Sequence, residues 1–175
     1  IVFVGRLTAQ KGIADAIHAL ALMNRGIVLD VIGDGPDRQL LVDLAGRLGL
    51  SNRILWRGHV QHGEIPALLS RASALVAPFI DEGLGLVAAE AQLCETPPVA
   101  YASGGLTDVI EDGVTGSLVP ASDVPALAVA LDRMIADPDR RAMIGRAGRN
   151  AALSRYSPAE VAARYARIYR DAAAS

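Results

Sequence analysis

A chain of 175 residues has the length of one domain, and its 51% hydrophobic content is enough for a sizeable core, which excludes intrinsic disorder. A formal net charge of −2 with no basic run excludes a general binder of nucleic acid or of membrane surfaces. The single cysteine, Cys94, excludes an internal disulfide and fits a reducing cytosol, and no apolar stretch approaches the roughly 20 residues of a membrane span.

The chain opens at Ile1 inside an apolar, strand-like run with no Met and no leader, as expected of a piece cut at a domain boundary. Strands are expected at Ile1–Gly5, Val28–Gly33, Ile54–Gly58, Ala74–Phe79, Pro98–Ala102 and Gly116–Val119. Ile13, Ile17 and Leu20 keep helical spacing between the first two, and Leu40, Leu44 and Leu48 between the next two. Weaker helices are expected over Glu64–Ala72 and about Gly85–Cys94. Most of the strands are apolar throughout, as strands buried on both faces of a parallel sheet are. The class is therefore α/β, a doubly wound parallel sheet of about six strands with helices on both faces. Toward the end, Asp137-Pro138 reads as an N-cap followed by Pro at the first helical position. Ser157-Pro158-Ala159-Glu160 reads as a capping box opening a last helix, about 157–172, with an apolar face of Val161, Tyr165, Ile168 and Tyr169. One domain, 1–175, is expected.

Ligands of open parallel sheets bind at the carboxyl ends of the strands, so the residues just after each strand carry the functional reading. After the first strand, Gly5-Arg6-Leu7-Thr8-Ala9-Gln10-Lys11-Gly12 places two cations on a short loop entering a helix. Backbone donors, a positive helix end and two charged side chains suit a diphosphate, although a solvated Arg and Lys on a loop would read the same way. Lys11 is the only lysine among 17 basic residues. After the fourth strand, Gly83 and Gly85 let the backbone approach a ligand where a helix begins. Glu82 precedes that helix. Glu90 lies within it, among apolar residues, where a buried carboxylate needs strong donors. Those donors are either a neighbouring arginine or the paired hydroxyls of a vicinal diol such as ribose. His59 and His62 have no further cluster to make a metal site. Ala102-Ser103-Gly104-Gly105 reads as a Gly-rich ligand loop, and Cys94 as inert packing.

Several of these motifs occur together in a fixed order. They are Val4-Gly5-Arg6-Leu7 with Lys11-Gly12, Gly33-Asp34-Gly35-Pro36, and Glu82 and Glu90 around Gly83-Leu84-Gly85-Leu86. Gly104-Gly105 and Asp112-Gly113 with Gly116 complete the series. The series resembles the C-terminal, donor-binding domain of the retaining GT-B glycosyltransferases of the glycosyltransferase-4 (group 1) type. The resemblance covers essentially the whole chain. It implies a Rossmann-like domain, one half of a GT-B fold, that binds a nucleotide-diphospho-sugar (UDP-, GDP- or ADP-sugar) and faces an N-terminal acceptor domain absent from this chain.

Carried over, Arg6 and Lys11 would hold the diphosphate and stabilise the leaving group, and Glu90 would hold the ribose hydroxyls. Glu82 would contact the sugar near its anomeric centre, with Gly83 and the amides of Gly85, Leu86 and Val87 completing the pocket. Gly58, His59 and Val60 would border the base. The resemblance implies a catalytic set of Glu82, Arg6 and Lys11, transfer with retention, and no metal or other cofactor. It implies a cytoplasmic, bacterial enzyme and leaves open a peripheral membrane contact through the missing domain. A nucleotide-sugar epimerase or hydrolase of the same architecture, or a non-catalytic nucleotide-sugar sensor, are the alternatives. Three residues depart from the family's pattern: Leu84 replaces an aromatic, Asp108 a Glu, and Glu95 the Gly that ends the Glu90 helix.

Overall fold

The computed structural model describes residues 1–23 and 26–173. Six parallel strands form one sheet: β1 (Val2–Val4), β2 (Leu29–Ile32), β3 (Ile54–Gly58), β4 (Leu75–Ala77), β5 (Pro98–Tyr101) and β6 (Ser117–Val119), ordered β3-β2-β1-β4-β5-β6. Every expected strand is present. β4 is shorter than Ala74–Phe79 because Pro78 has no N–H to continue the ladder. Phe79 turns inward instead and meets Phe3 edge-on, with ring centroids 5.8 Å apart. β4 and β5 are buried along their whole length. Edge strand β3 alternates, with Ile54 buried and Leu55 and Arg57 exposed, because only one of its faces is covered.

Eight α-helices complete the fold: α1 (Ile13–Leu22), α2 (Arg38–Arg47), α3 (Ile65–Leu69), α4 (Leu86–Leu93), α5 (Leu106–Val109), α6 (Val124–Ala136), α7 (Pro138–Tyr156) and α8 (Pro158–Ala173) among the described residues. α1 packs with α2 and α6 in one layer, and α4 with α3, α5 and α7 in the other. Asp137 caps α7, its Oδ1 accepting from the Arg140 N–H at 2.9 Å. Only half of the expected capping box forms, Ser157 Oγ accepting from the Glu160 N–H at 3.3 Å.

Two apolar stripes differ from expectation. α2 buries Leu41 and Ala45, and Leu40 is 68% exposed. The Asp37 N–H donates to the Leu7 carbonyl at 3.1 Å, and this anchor turns the next position along the helix toward the sheet. On α8, Val161, Tyr165, Ile168 and Tyr169 do share a face, but all four are exposed and the helix buries no residue.

Glu95 ends α4 in the left-handed region, φ 58°, where a Cβ is strained. Its contact with Arg149 is long, 3.9 Å, and exposed. Glu95→Gly is expected to raise stability by about 1 kcal/mol, read from the urea midpoint. Buried Tyr101 donates to Asp15 Oδ2 at 2.8 Å, and burial followed by this bond pushes its phenol above the ordinary range. A phenol whose folded pKa is raised stabilises the fold below its ordinary value near 10 and loses that contribution as pH climbs beyond it. Tyr101→Phe should cost about 1.5 kcal/mol at neutral pH and flatten the alkaline decline in stability, both measured by urea denaturation.

Candidate functional site

β1 and β4 are neighbours, and their connections leave for opposite faces of the sheet, to α1 and α4. The crevice between those connections is the switch point of the topology, where ligands of such sheets bind. The two loops touch through their backbones. Gly12, with φ 61°, lies so close that a Cβ would stand 1.9 Å from the Pro78 carbonyl oxygen. The Ile80 N–H donates to the Gln10 carbonyl at 3.0 Å.

This contact fixes Lys11 one residue before Gly12, in the turn Ala9–Lys11. Its Nζ stands 4.7 Å from the centroid of the Phe79 ring and pairs with Glu82 Oε2. The Lys11 side chain is 27% exposed and that of Glu82 18%, so both charges are partly withdrawn from water. The backbone of Glu82 is held from the other side. Its carbonyl accepts from the Gly105 N–H at 2.6 Å, and the Asp81 N–H donates to Ser103 Oγ at 3.0 Å. A Cβ on Gly104 would lie 2.2 Å from the Glu82 carbonyl oxygen, and one on Gly105 2.5 Å from that of Gly83. The glycines of that loop thus serve a close approach of two backbones.

The remaining expected residues fall in three places. Arg6, at the carboxyl end of β1, is exposed, and its guanidinium takes no hydrogen-bond or ion-pair partner among the described residues. Gly85, with φ 65°, starts α4, whose first-turn N–H groups at Leu86 and Val87 have no intrahelical acceptor. Glu90 is only half-buried, and no arginine pairs with it among the described residues. It opens instead on a groove of about 980 Å³ between α3, α4 and α7, shared with His62 and Ile65.

The loop after β3 is divided. The Gly58 carbonyl accepts from the Gly33 N–H at 2.8 Å, His59 is exposed, and Val60 lines a separate hollow with Leu55 and Trp56. Three contributors have other parts than the sequence suggests. Phe79, in sequence the end of a buried strand, lies beneath Lys11; Ser103, in sequence part of a Gly-rich ligand loop, supports Asp81; and His62, in sequence weighed only as a metal ligand, faces the groove. Cys94 also lines the groove, and burial raises its thiol pKa, which suits inert packing.

Lys11, Glu82 and the start of α4 thus gather at the switch point of a doubly wound parallel α/β sheet. The chain belongs to the glycosyl transferases group 1, whose family match spans residues 1–151, and it is a C-terminal-type domain of GT-B architecture. It is similar to alpha-D-kanosaminyltransferase of Streptomyces kanamyceticus, 34% identical over 174 residues, which are 98% of this chain and 45% of that protein. It is similar in structure to Anabaena HepE in complex with UDP, with TM-score 0.91 and 27% identity over 97% of this chain and 48% of that one. It is also similar to the C-terminal domain of a glycosyl transferase group 1 protein, LpcC, from Francisella tularensis (TM-score 0.82, 25% identity, 90% of this chain and 85% of that one). The chain spans less than half the length of the curated relatives it matches.

Gly12→Ala should cost at least about 2 kcal/mol, since the left-handed backbone and the Pro78 carbonyl both oppose a methyl group. Urea denaturation of the variant beside the wild type measures the loss.

Proposed function

We propose that this chain is the nucleotide-sugar half of a retaining glycosyltransferase, completed by a separate N-terminal domain that holds the acceptor. The convergence of Lys11 and Glu82 at the switch point, with the Arg6 guanidinium unpartnered at the carboxyl end of β1, carries this reading. Arg6 offers a planar fork and Lys11 a compact charge, a complementary pair for a diphosphate. Both stand where negative charge grows on the leaving group, so they lower the barrier most in the transition state. The amides of Leu86 and Val87 add a positive helix end to the same crevice. In this reading Glu82 accepts from sugar hydroxyls and Glu90 from the ribose diol, and Gly83 leaves room for the sugar. His59 and Val60 approach the base from the β3 side. The UDP held by HepE supports a nucleoside diphosphate as the ligand.

Positioning donor against acceptor is worth roughly 7–11 kcal/mol of barrier, so the chain alone transfers no sugar at a useful rate. No described helix is long and apolar enough to cross a membrane. The reading places the enzyme in the cytoplasm, with any membrane contact made through the acceptor domain.

Titration calorimetry of the chain with UDP, GDP and ADP tests the reading, and absence of heat with all three at millimolar levels refutes it. Thermal shift gives a second measure, about 2.7 kcal/mol of stabilisation at 100 times Kd. Glu90→Gln should weaken nucleotide binding by about 1.5–3 kcal/mol. Its folding stability should hardly change, since Glu90 has no ion-pair partner to lose among the described residues.

A further inference from the structure

We propose that the Lys11–Glu82 ion pair is a latch that disfavours the bare nucleoside diphosphate and is relieved by the sugar of the intact donor, a role that rests on the donor-site reading above. Without ligand, the ammonium of Lys11 is already neutralised by Glu82, and the pair is partly shielded from water over the face of Phe79. The backbone at both ends is fixed, by the Gly12–Pro78 approach on one side and the Gly105–Glu82 hydrogen bond on the other. The pair therefore opens by side-chain rotation.

An arriving diphosphate meets unequal cations. Arg6 is exposed and unpartnered, while Lys11 is engaged and carries a carboxylate beside it. Turning Lys11 to the phosphates strands Glu82, partly desolvated and next to charge of its own sign. A carboxylate accepts hydrogen bonds and cannot donate them, and the hydroxyls of a sugar supply the missing donors. The intact donor thus compensates Glu82 for the loss of Lys11, and a bare nucleoside diphosphate does not. After transfer the hydroxyls leave with the sugar, the pair closes again, and the spent nucleotide loses its hold on Lys11. Glu82 thereby separates donor from product as well as touching the sugar.

Calorimetry on the full chain with UDP and UDP-glucose, GDP and GDP-mannose, and ADP and ADP-glucose provides the test, the wild type selecting the base. Glu82→Gln is expected to bind the bare diphosphate about three- to tenfold more tightly than the wild type. The affinity ratio of sugar nucleotide to diphosphate should fall by a similar factor. In a Lys11→Met background the same substitution should give none of this gain. Glu82→Ser gives the same comparison if the glutamine variant does not fold. Equal or weaker diphosphate binding by the Glu82 variants, or an unchanged ratio, overturns the latch and leaves the donor site standing. A wild type that binds no diphosphate overturns the donor-site reading and the latch with it.

Discussion

The carbonyl oxygen of Pro78 fills the space that a side chain at residue 12 would need, and the candidate site depends on that single contact. A backbone approach of this kind demands a glycine in a left-handed conformation, and it welds the loop after β1 to the loop after β4. Lys11 then has little freedom except within its own side chain. A pair of glycines, at 104 and 105, does the same for Glu82 from the β5 side. The charged pair is thus framed by three loops whose backbones touch.

The charged residues expected at the site fall into unlike states. Lys11 and Glu82 satisfy each other in the crevice, whereas the side chains of Arg6 and, on its separate groove, Glu90 stand without partners among the described residues. Partnered charges are costly to disturb, and unpartnered half-exposed ones are ready for a ligand. A sequence gives each of the four a full formal charge, whether partnered or not, and so cannot tell these states apart. The packing does so, through the rotation of α4 and the aromatic floor beneath Lys11.

The layout of the sheet was legible because six apolar runs recur about one β-α unit apart, each too short for a helix and separated by stretches long enough for one. Rotation of a helix about its axis was not. Leu40 and Leu41 are equally apolar, and the one that faces the sheet is set by contacts distant in sequence, among them the hydrogen bond from Asp37 to Leu7. The Arg6 and Lys11 loop and the Glu82 to Glu90 segment were found because they follow strands. Glu90 was read as sealed in an apolar helix, because α4 is short of polar neighbours in sequence. The groove beside it belongs to α3 and α7, which are distant in the chain. The stripe on α8 was visible from spacing, but spacing says nothing of whether a stripe is covered.

Lys11 is the only lysine in the chain, the other 16 of its 17 basic residues being arginine. Within this chain, therefore, the one side-chain primary amine lies inside the candidate site, over an aromatic ring and against a carboxylate. Chemistry selective for ε-amines has a single address here. An isotopic methyl tag placed on that nitrogen would give one resonance, free of overlap, whose shift reports the ring current of Phe79 and the company that the ammonium keeps.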